Sequence, residues 1–249
     1  MHLKILSLGD EYASSAGRYL AKIAKCDDVD IVSGNLILAD SSLADHVAAI
    51  ESDNGIYRFE FNDEGSIRTN VYDDFIFSKA LDWFDWDYIT VQQGTPLAGV
   101  ADSYFPHIST VAGSIRQHCP GADIVINEPW AFETDCTSAH FASYNNNTVL
   151  MAQKIRESVI EAAQRAGIKI VLPVGEVWSD ARKADFCRLT SDDGCHASRC
   201  GEFLASAVWY EILTGNDVSK NKYRLPFVSA EITARLKEVA HDTAVRYKL

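Results

Sequence analysis

The feature that most constrains the fold is the alternation of short apolar runs with stretches of helical periodicity. The apolar runs predict strands at Leu3 to Leu8, Val29 to Leu38, Tyr88 to Val91, Asp123 to Ile126 and Ile168 to Pro173. Strands that are separated by helices form right-handed β-α-β units, so the sheet should be parallel and covered on both faces. We therefore expect an α/β fold of three layers (α/β/α) with a five-stranded parallel, flavodoxin-like sheet.

Helical periodicity and one alternating segment complete the predicted architecture. Helices are expected at Ser14 to Lys25, Ser42 to Ile50, Asp73 to Trp83, Ser198 to Leu213 and Ser229 to Lys248. Two alternating segments, Tyr57 to Phe61 and Ser66 to Tyr72, are joined by Asn62-Asp63-Glu64-Gly65. This pattern is typical of a β-hairpin, which we expect to be a small excursion from the main sheet.

Length and charge limit the domain count and the classes of partner. The 249 residues, of which 47% are hydrophobic and 23% charged, suit a single domain over 1–249, with 216–249 as a C-terminal helical extension. The net charge of -12 repels nucleic acid and anionic membranes, and no cluster of Lys and Arg offsets it. Met1 and His2 lead straight into the predicted first strand at Leu3 without the apolar run of a signal peptide, so none is expected in this sequence. A cytoplasmic location and secretion with the leader removed both stay open.

The six cysteines lack the paired C-x-x-C spacing of a metal site, so no metal or other cofactor is predicted. They are Cys26, Cys119, Cys136, Cys187, Cys195 and Cys200. Free buried thiols are the favoured interpretation. A disulfide among Cys187, Cys195 and Cys200 is the alternative.

Four polar clusters follow predicted strands directly. They are Gly9-Asp10-Glu11, Asp40-Ser41-Ser42, Gln92-Gln93-Gly94 and Asn127-Glu128-Pro129-Trp130. The carboxyl ends of parallel strands meet at one edge of the sheet, here called the rim, where helix N-termini also point. We therefore expect a site at the rim, with substrate-binding or oxyanion-stabilising residues among Asp10, Asp40, Ser41, Gln92, Gln93, Gly94, Glu128 and Trp130.

Two of these clusters allow alternative interpretations. Gln92 and Gln93 point to opposite faces if the strand continues, so one should face the site and the other should find backbone partners. Trp130 is either an aromatic platform for a sugar ring or part of the core.

An Asp-x-x-His step, Asp193-Gly194-Cys195-His196, lies near the start of the predicted Ser198 helix. It can place a carboxylate behind an imidazole, which is half of a hydrolase triad. The usual complement is a serine just after the first strand. At that position the chain has Glu11.

In the order and context of these motifs, the chain resembles the SGNH/GDSL hydrolase superfamily, in particular a largely uncharacterised bacterial branch. The resemblance runs from Leu3 to about Gly215. It implies that His196 is the base, that Asp193 orients it, and that Glu11 stands in the position of the nucleophile.

The same resemblance maps the oxyanion-hole blocks onto two loops. The second block matches Ala39-Asp40-Ser41, and the third matches Gly94-Thr95-Pro96. The asparagine side-chain donor of the third block is therefore absent, and Gln92 or Gln93 is the available donor in its place.

The role of Glu11 stays open among three interpretations. In the first, Glu11 fills a position that is no longer under chemical demand and forms an ion pair with His196. In the second, it is an acid, base or glycosyl nucleophile opposite Asp10, Asp40 or Glu128. In the third, Ser14 or Ser15 replaces the lost serine, although serines there more naturally cap a helix.

These interpretations lead to three functional hypotheses. The first is a carbohydrate esterase or deacetylase scaffold of the SGNH type that is impaired or altered by Glu11. The alternatives are a non-catalytic binder of glycans or small polar ligands, and a glycoside-processing enzyme that uses Glu11 as its carboxylate. In each case the expected partner is a small-molecule ester or glycan.

Overall fold

The computed structural model describes residues 1–62 and 69–247. These residues form a single seven-stranded mixed sheet with helices on both sides. The strands are β1 (His2–Gly9), β2 (Asp30–Ile37), β3 (Tyr57–Asn62), β4 (Asn70–Phe75), β5 (Tyr88–Val91), β6 (Asp123–Asn127) and β7 (Ile170–Leu172). Their order is β4-β3-β2-β1-β5-β6-β7. The neighbouring pairs β2–β1, β1–β5, β5–β6 and β6–β7 are parallel, whereas β3 is antiparallel to both of its neighbours, β2 and β4.

The α/β class is confirmed, but the predicted five-stranded parallel sheet with a separate hairpin is wrong. The hairpin belongs to the sheet because β3 pairs with the edge of β2, with Ser33 opposite Asn62. Burial explains the difference. The alternating aromatic residues of β3 need a covered face, and Phe59 and Phe61 find it within an aromatic cluster in which the rings of Phe59 and Phe75 lie 4.6 Å apart. Residues 63–68, which hold most of the predicted turn and the start of its second strand, lie outside the described residues.

Nine α-helices and four short 3-10 segments occur in the described part of the chain. The α-helices are α1 (Glu11–Ala16), α2 (Leu20–Lys25), α3 (Leu43–Ser52), α4 (Phe77–Leu81), α5 (His107–His118), α6 (Thr148–Ala166), α7 (Val174–Ala184), α8 (Arg199–Thr214) and α9 (Ala230–Tyr247). The 3-10 segments are Thr95–Leu97, Ala101–Tyr104, Ala139–Tyr144 and Val218–Lys220.

Two predicted helices differ from those observed. The single helix predicted from Ser14 is divided into α1 and α2, because α1 ends at Ala16 with Gly17 as its C-cap. The helix predicted from Asp73 is wrong over its first three residues, because those residues complete β4. By contrast, α3 begins close to the predicted Ser42. The Ser42 side chain caps this helix by accepting from the backbone N–H of Asp45, and the Asp45 carboxylate accepts from the N–H of Ser42.

The helices form two layers around the sheet. Helices α1, α2 and α8 pack together on one side, and α3, α4 and α5 pack together on the other. Helix α9 packs against α7 and α8, close to the predicted bounds of the C-terminal helix. Within the described residues, no helix has both the length and the apolar character that a membrane crossing requires.

Two helical glycines provide a matched test of this packing. An added Cβ at Gly201 of α8 would lie 2.2 Å from the carbonyl oxygen of Leu189 and 2.5 Å from the ring of Trp178, whereas at Gly113 of α5 it would meet nothing within 4 Å. We expect Gly201→Ala to lower the free energy of unfolding by about 1–3 kcal/mol through overpacking. Gly113→Ala should raise it by about 0.5–1 kcal/mol through helix propensity. Urea denaturation of both variants checks this, and effects of the same sign would contradict the packing described.

Candidate functional site

The Asp193–His196 pair is formed in the structure. Asp193 Oδ2 accepts from His196 Nδ1 at 2.6 Å, and Asp193 Oδ1 accepts from the backbone N–H groups of Cys195 and His196 at 2.9 and 3.0 Å. Desolvation raises the pKa of Asp193, but these hydrogen bonds outweigh it and hold the pKa below its usual value. The carboxylate is therefore charged at neutral pH. With Nδ1 donating to it, Nε2 of His196 is left as the nitrogen that can accept a proton.

The loop that carries this pair, residues 190–197, is closed on itself and fastened to the segment after β6. Thr190 and Ala197 form an isolated bridge at its base. The carbonyl oxygen of Gly194 accepts from the backbone N–H of Glu133 at 2.8 Å, and that of Cys195 accepts from Trp130 Nε1 at 2.9 Å. We call these residues the acid–base loop.

A disulfide between Cys136 and Cys195 adds a covalent link at the same place. The predictions of free thiols throughout, or of a bridge confined to Cys187, Cys195 and Cys200, are therefore wrong for Cys195. Its partner is 59 residues away in sequence, a pairing that spacing alone does not indicate. Cys187 and Cys200 carry free thiols.

Glu11 lies at the first position of α1 and points toward the loop between β2 and α3. Its Oε2 accepts from the backbone N–H of Asp40 at 3.4 Å. Among the described residues, the ion pair of His196 is with Asp193, and none joins it to Glu11. The predicted Glu11–His196 ion pair is therefore wrong for this structure.

Tyr12, the next residue of α1, provides the contact between this helix and the acid–base loop. The rings of Tyr12 and His196 are stacked, with centroids 4.8 Å apart and planes at 13°. The structure thus brings the first turn of α1 and the histidine together at the rim. Sequence reasoning missed Tyr12, although its place directly after Glu11 was a usable signal.

Asp10 is buried and structural rather than open to a ligand. Its Oδ1 caps α1 by accepting from the N–H groups of Tyr12 and Ala13, and it also accepts from Gln92 Nε2 at 3.1 Å. Burial, together with the nearby charge of Glu11, raises the pKa of Asp10 to about 7.

The hydrogen-bond chain continues beyond Gln92 into the core. Gln92 Oε1 accepts from Asn127 Nδ2 at 2.5 Å, and Asn127 Oδ1 accepts from Trp209 Nε1 at 2.9 Å. The chain joins the ends of β1, β5 and β6 to α8. Asn127 lies in a predicted rim cluster but was not among the predicted site residues, and Trp209 lies within α8, away from every strand end.

Gln93 points away from this chain, as strand alternation predicts. Its Oε1 accepts from the N–H groups of Leu43 and Gly94 at 2.8 and 3.0 Å, and its Nε2 donates to the carbonyl oxygen of Ser103. Gln93 therefore holds the loops in place, and Gln92 is the glutamine on the side of Asp10.

The loop after β2 is held by a second buried chain. Ser41 Oγ lies 3.1 Å from His46 Nε2, and His46 Nδ1 lies 3.1 Å from the hydroxyl of Tyr57. A Cβ at Gly94 would lie 2.3 Å from the carbonyl oxygen of Ser41, so a glycine is needed where the two loops meet. Asp40 has a positive φ of 51° and is the residue whose N–H reaches Glu11.

His46 supports the loop rather than acting as a base for Ser41. Burial lowers its pKa to about 4, so the ring is neutral and resists taking up a proton. A base that gains a proton during catalysis needs a pKa nearer the working pH. Sequence reasoning missed His46, which lies on α3 outside every recognised motif.

Glu128 and Trp130, both predicted on the rim, are buried in other contacts. Glu128 Oε2 lies 3.4 Å from Arg156 Nη1, and burial raises the pKa of this carboxyl to about 8. Trp130 is fully buried and stacks on Trp178 with ring centroids 4.5 Å apart. A position after a strand does not decide which way a side chain points, and here Asn127 faces the Gln92 chain while Glu128 faces α6.

One group of side chains in the described residues has donor atoms close enough for a metal ion. The ligand atoms of Glu211, Asp217 and His241 lie within 4.8 Å of one another. His241 Nδ1 is already 3.0 Å from Glu211 and 3.2 Å from Asp217. This group fastens α8 to α9 and does not include any predicted rim residue.

The disulfide assignment can be tested directly. Non-reducing peptide mapping by mass spectrometry should recover one linked peptide that contains Cys136 and Cys195. Alkylation of the unfolded, unreduced protein should label Cys187 and Cys200. A linked peptide that joins Cys195 to either of these residues would contradict the arrangement.

His46 predicts a particular acid sensitivity. The unfolded chain takes up a proton on this ring below its ordinary pKa of 6.5, whereas the folded protein keeps the ring neutral down to about pH 4. As the pH falls through this range, the free energy of unfolding of the parent should therefore drop relative to that of His46→Gln, by up to about 3 kcal/mol. Urea titrations of both proteins at several pH values measure the difference, and parallel pH curves would refute it.

Comparison with solved structures places the chain among proteins of this fold. A DUF4886 family protein from Bacteroides uniformis has 26% identity and a TM-score of 0.95, over 98% of this chain and 95% of that one. A candidate SGNH hydrolase from Slackia heliotrinireducens has 19% identity and a TM-score of 0.55, over 85% and 98%. A carbohydrate esterase of family 3 from Talaromyces cellulolyticus has 11% identity and a TM-score of 0.53, over 86% and 97%.

Sequence comparison gives the family assignment. No curated protein shows significant similarity to the chain. The DUF4886 family, described as a domain of unknown function, matches residues 4–244, which is nearly the whole chain. The protein therefore belongs to the DUF4886 family and has a scaffold like that of the SGNH hydrolases.

Proposed function

We propose that the protein is an SGNH-type acyl-ester hydrolase scaffold of the carbohydrate-esterase kind, in which Glu11 has impaired the serine chemistry. The observation that carries this proposal is the formed Asp193–His196 hydrogen bond of 2.6 Å beside the first turn of α1. The family 3 carbohydrate esterase shares the fold of this chain. So does an acetylxylan esterase from Geobacillus stearothermophilus, with 12% identity and a TM-score of 0.50.

The geometry supports the roles that we propose for these residues. His196 Nε2 would accept the proton of a hydroxyl nucleophile, and Asp193 would stabilise the imidazolium that forms. The backbone N–H of Asp40 is placed at the second-block loop, where an oxyanion donor is expected.

Glu11 opposes this chemistry in two ways. A carboxylate that attacks an ester gives a mixed anhydride, and it is a poor nucleophile toward acyl carbons. Its oxygen also accepts from the N–H of Asp40, so a negative charge already lies at a donor that a tetrahedral oxyanion would need. Losing the nucleophile of a triad removes up to about six orders of magnitude in kcat.

A non-catalytic binder of glycans or small polar ligands is the second candidate. It is favoured because Glu11 supplies no hydroxyl to the Asp193–His196 pair, and its side chain is instead held by the N–H of Asp40. Rescue by Ser14 is disfavoured, since its Oγ donates to the carbonyl oxygen of Glu11 within α1.

The glycoside-processing alternative has weaker support. It needs a second carboxylate that faces Glu11 across an open pocket. Asp10 is occupied as a helix cap and Glu128 is buried beside Arg156, which leaves Asp40 as the predicted partner. Glu11→Gln would abolish turnover of a glycan if this alternative held.

Restoring the hydroxyl tests the esterase proposal. Glu11→Ser should raise hydrolysis of p-nitrophenyl acetate at least about 100-fold over the parent, because His196 and Asp193 are in place to activate the serine. Glu11→Ala is the matched control, since it removes the carboxylate without adding a nucleophile. His196→Ala in the Glu11→Ser background should cancel the gain. Equal rates for the serine and alanine variants would reject a latent esterase and leave the binder.

A further inference from the structure

Two free thiols flank the acid–base loop. Cys187 comes before the loop, and Cys200 lies in the first turn of α8 after it. Thr190 and Ala197 form the bridge at the base of the loop. Counting outward by the same number of residues on each side of this bridge brings Cys187 opposite Cys200. The chain therefore places both sulfurs at the same end of the loop, outside its closing bridge.

Hydrogen bonds hold the two flanking segments together on this side of the bridge. The backbone N–H of Ser198 donates to the carbonyl oxygen of Leu189 at 2.7 Å, and Ser198 Oγ donates to that of Arg188 at 3.0 Å. The first turn of α8 also lies directly against the incoming segment, since a Cβ at Gly201 would be 2.2 Å from the carbonyl oxygen of Leu189. The backbones on which the two cysteines sit are therefore fixed beside each other.

The thiols themselves are in contact. The thiol of Cys187 donates a hydrogen bond to the sulfur of Cys200. Side chains that bond in this way converge, and a disulfide needs cysteines whose Cβ atoms point toward each other. Both residues are half-buried, so a small reagent can reach them from solvent.

The hydrogen bond makes the two thiols unequal in acidity. It raises the pKa of Cys187, as burial also does. It lowers the pKa of Cys200, where the charge of Arg199 acts in the same direction and burial opposes both. Because the thiolate is the reactive form of cysteine, Cys200 is the attacking sulfur and Cys187 is the thiol that follows it.

The buried free cysteine elsewhere in the chain has a different environment. Cys119 is buried, and its thiol donates to the carbonyl oxygen of Leu81 at 3.3 Å. Burial raises the pKa of Cys119 to about 11. A thiol of this kind packs as a small apolar side chain and is not reactive.

We propose that Cys187 and Cys200 form an oxidation site, at which a low-molecular-weight disulfide such as glutathione disulfide converts the thiol pair into a second disulfide at the base of the acid–base loop. The Cys200 thiolate attacks one sulfur of the oxidant, breaks its S–S bond and releases one glutathione as a thiolate, which takes up a proton. Cys187 then loses its proton to solvent and attacks Cys200 Sγ, which releases the second glutathione. Two protein thiols are oxidised, and one glutathione disulfide is reduced to two glutathione molecules.

The new bond changes how His196 is held. Cys195 is already tied to Cys136, and oxidation ties Cys200 to Cys187. The short segment from Cys195 to Cys200, which carries His196, is then fixed covalently at both ends. A cross-link lowers the entropy of the opened chain, so the loop opens less often when the pair is oxidised.

Peptide mapping of the full chain tests the oxidation. The protein is treated with millimolar glutathione disulfide and no reductant, so that the existing disulfide stays intact, and is then quenched with acid. Trypsin cuts after Arg188 and Arg199, which puts Cys187, Cys195 and Cys200 on three separate peptides. Mass spectrometry should find Cys187 linked to Cys200. Glutathione that stays on either thiol, a link from either thiol to Cys195, or two unchanged thiols would overturn the proposal.

Variants and alkylation identify the roles of the two sulfurs. Cys187→Ser should keep glutathione on Cys200, because no second thiol displaces it. Cys26→Ser is the matched control, since it removes an exposed thiol elsewhere in the chain, and its Cys187–Cys200 link should form as in the parent. Brief alkylation of the folded parent should label Cys200 at least about tenfold faster than Cys187. Equal labelling, or release of glutathione from Cys200 in Cys187→Ser, would contradict the assigned roles.

Hydrogen exchange measures the effect on the loop. The amides of residues 189–198 should exchange at least about threefold more slowly in the oxidised protein than in the thiol form. Cys187→Ser treated in the same way should show no such change. Loop exchange that oxidation leaves unaltered would refute the tightening of the loop. This measurement uses no ester, so its failure is distinguishable from failure of the proposed esterase, which is read from hydrolysis by Glu11→Ser.

Discussion

The buried carboxyl group of Asp10 is the interaction on which the geometry of the rim depends. It ends β1, starts α1 by accepting two backbone N–H groups, and meets Gln92 at the end of β5. Burying this group is costly, as its raised pKa of about 7 shows, and the surrounding donors offset that cost. Glu11 and Tyr12 take their positions from the helix turn that Asp10 fixes.

The rim is assembled from two halves that meet at Tyr12. One half is the α1 turn with Glu11, and the other is the acid–base loop, which is fastened by Trp130 and by the Cys136–Cys195 disulfide. Stacking of Tyr12 on His196 joins the two halves without a hydrogen bond between Glu11 and His196. The histidine is therefore oriented independently of the residue at the nucleophile position.

Much of the fold could be predicted from the sequence because burial periodicity is local. The parallel strands and the start of α3 near Ser42 follow from such patterns. The place of the hairpin could not be predicted, because it depends on which sheet edge is free to cover Phe59 and Phe61. The disulfide between Cys136 and Cys195 depends likewise on where two distant loops come together.

For the site, motifs identified Asp193 and His196 but not the side chains that support them. The rim position of Glu128 and Trp130 was inferred from strand ends alone, whereas strand alternation and the helix that covers each face decide which way these side chains point. Tyr12, His46, Asn127 and Trp209 were missed because their roles arise from tertiary contacts. For Gln92 and Gln93, by contrast, strand alternation alone predicted correctly that the two side chains point in opposite directions.

The antiparallel hairpin has a consequence for how copies of this protein behave beside one another. An exposed strand edge offers unpaired N–H and C=O groups to a second chain, which promotes edge-to-edge association. Here β3 covers the edge of β2, and the outermost strand, β4, carries Asp73 and Asp74, the latter with a left-handed φ of 53°. At the other end of the sheet β7 has only three residues. Both edges are therefore poor templates for aggregation, and the hairpin protects the molecule as well as completing its core.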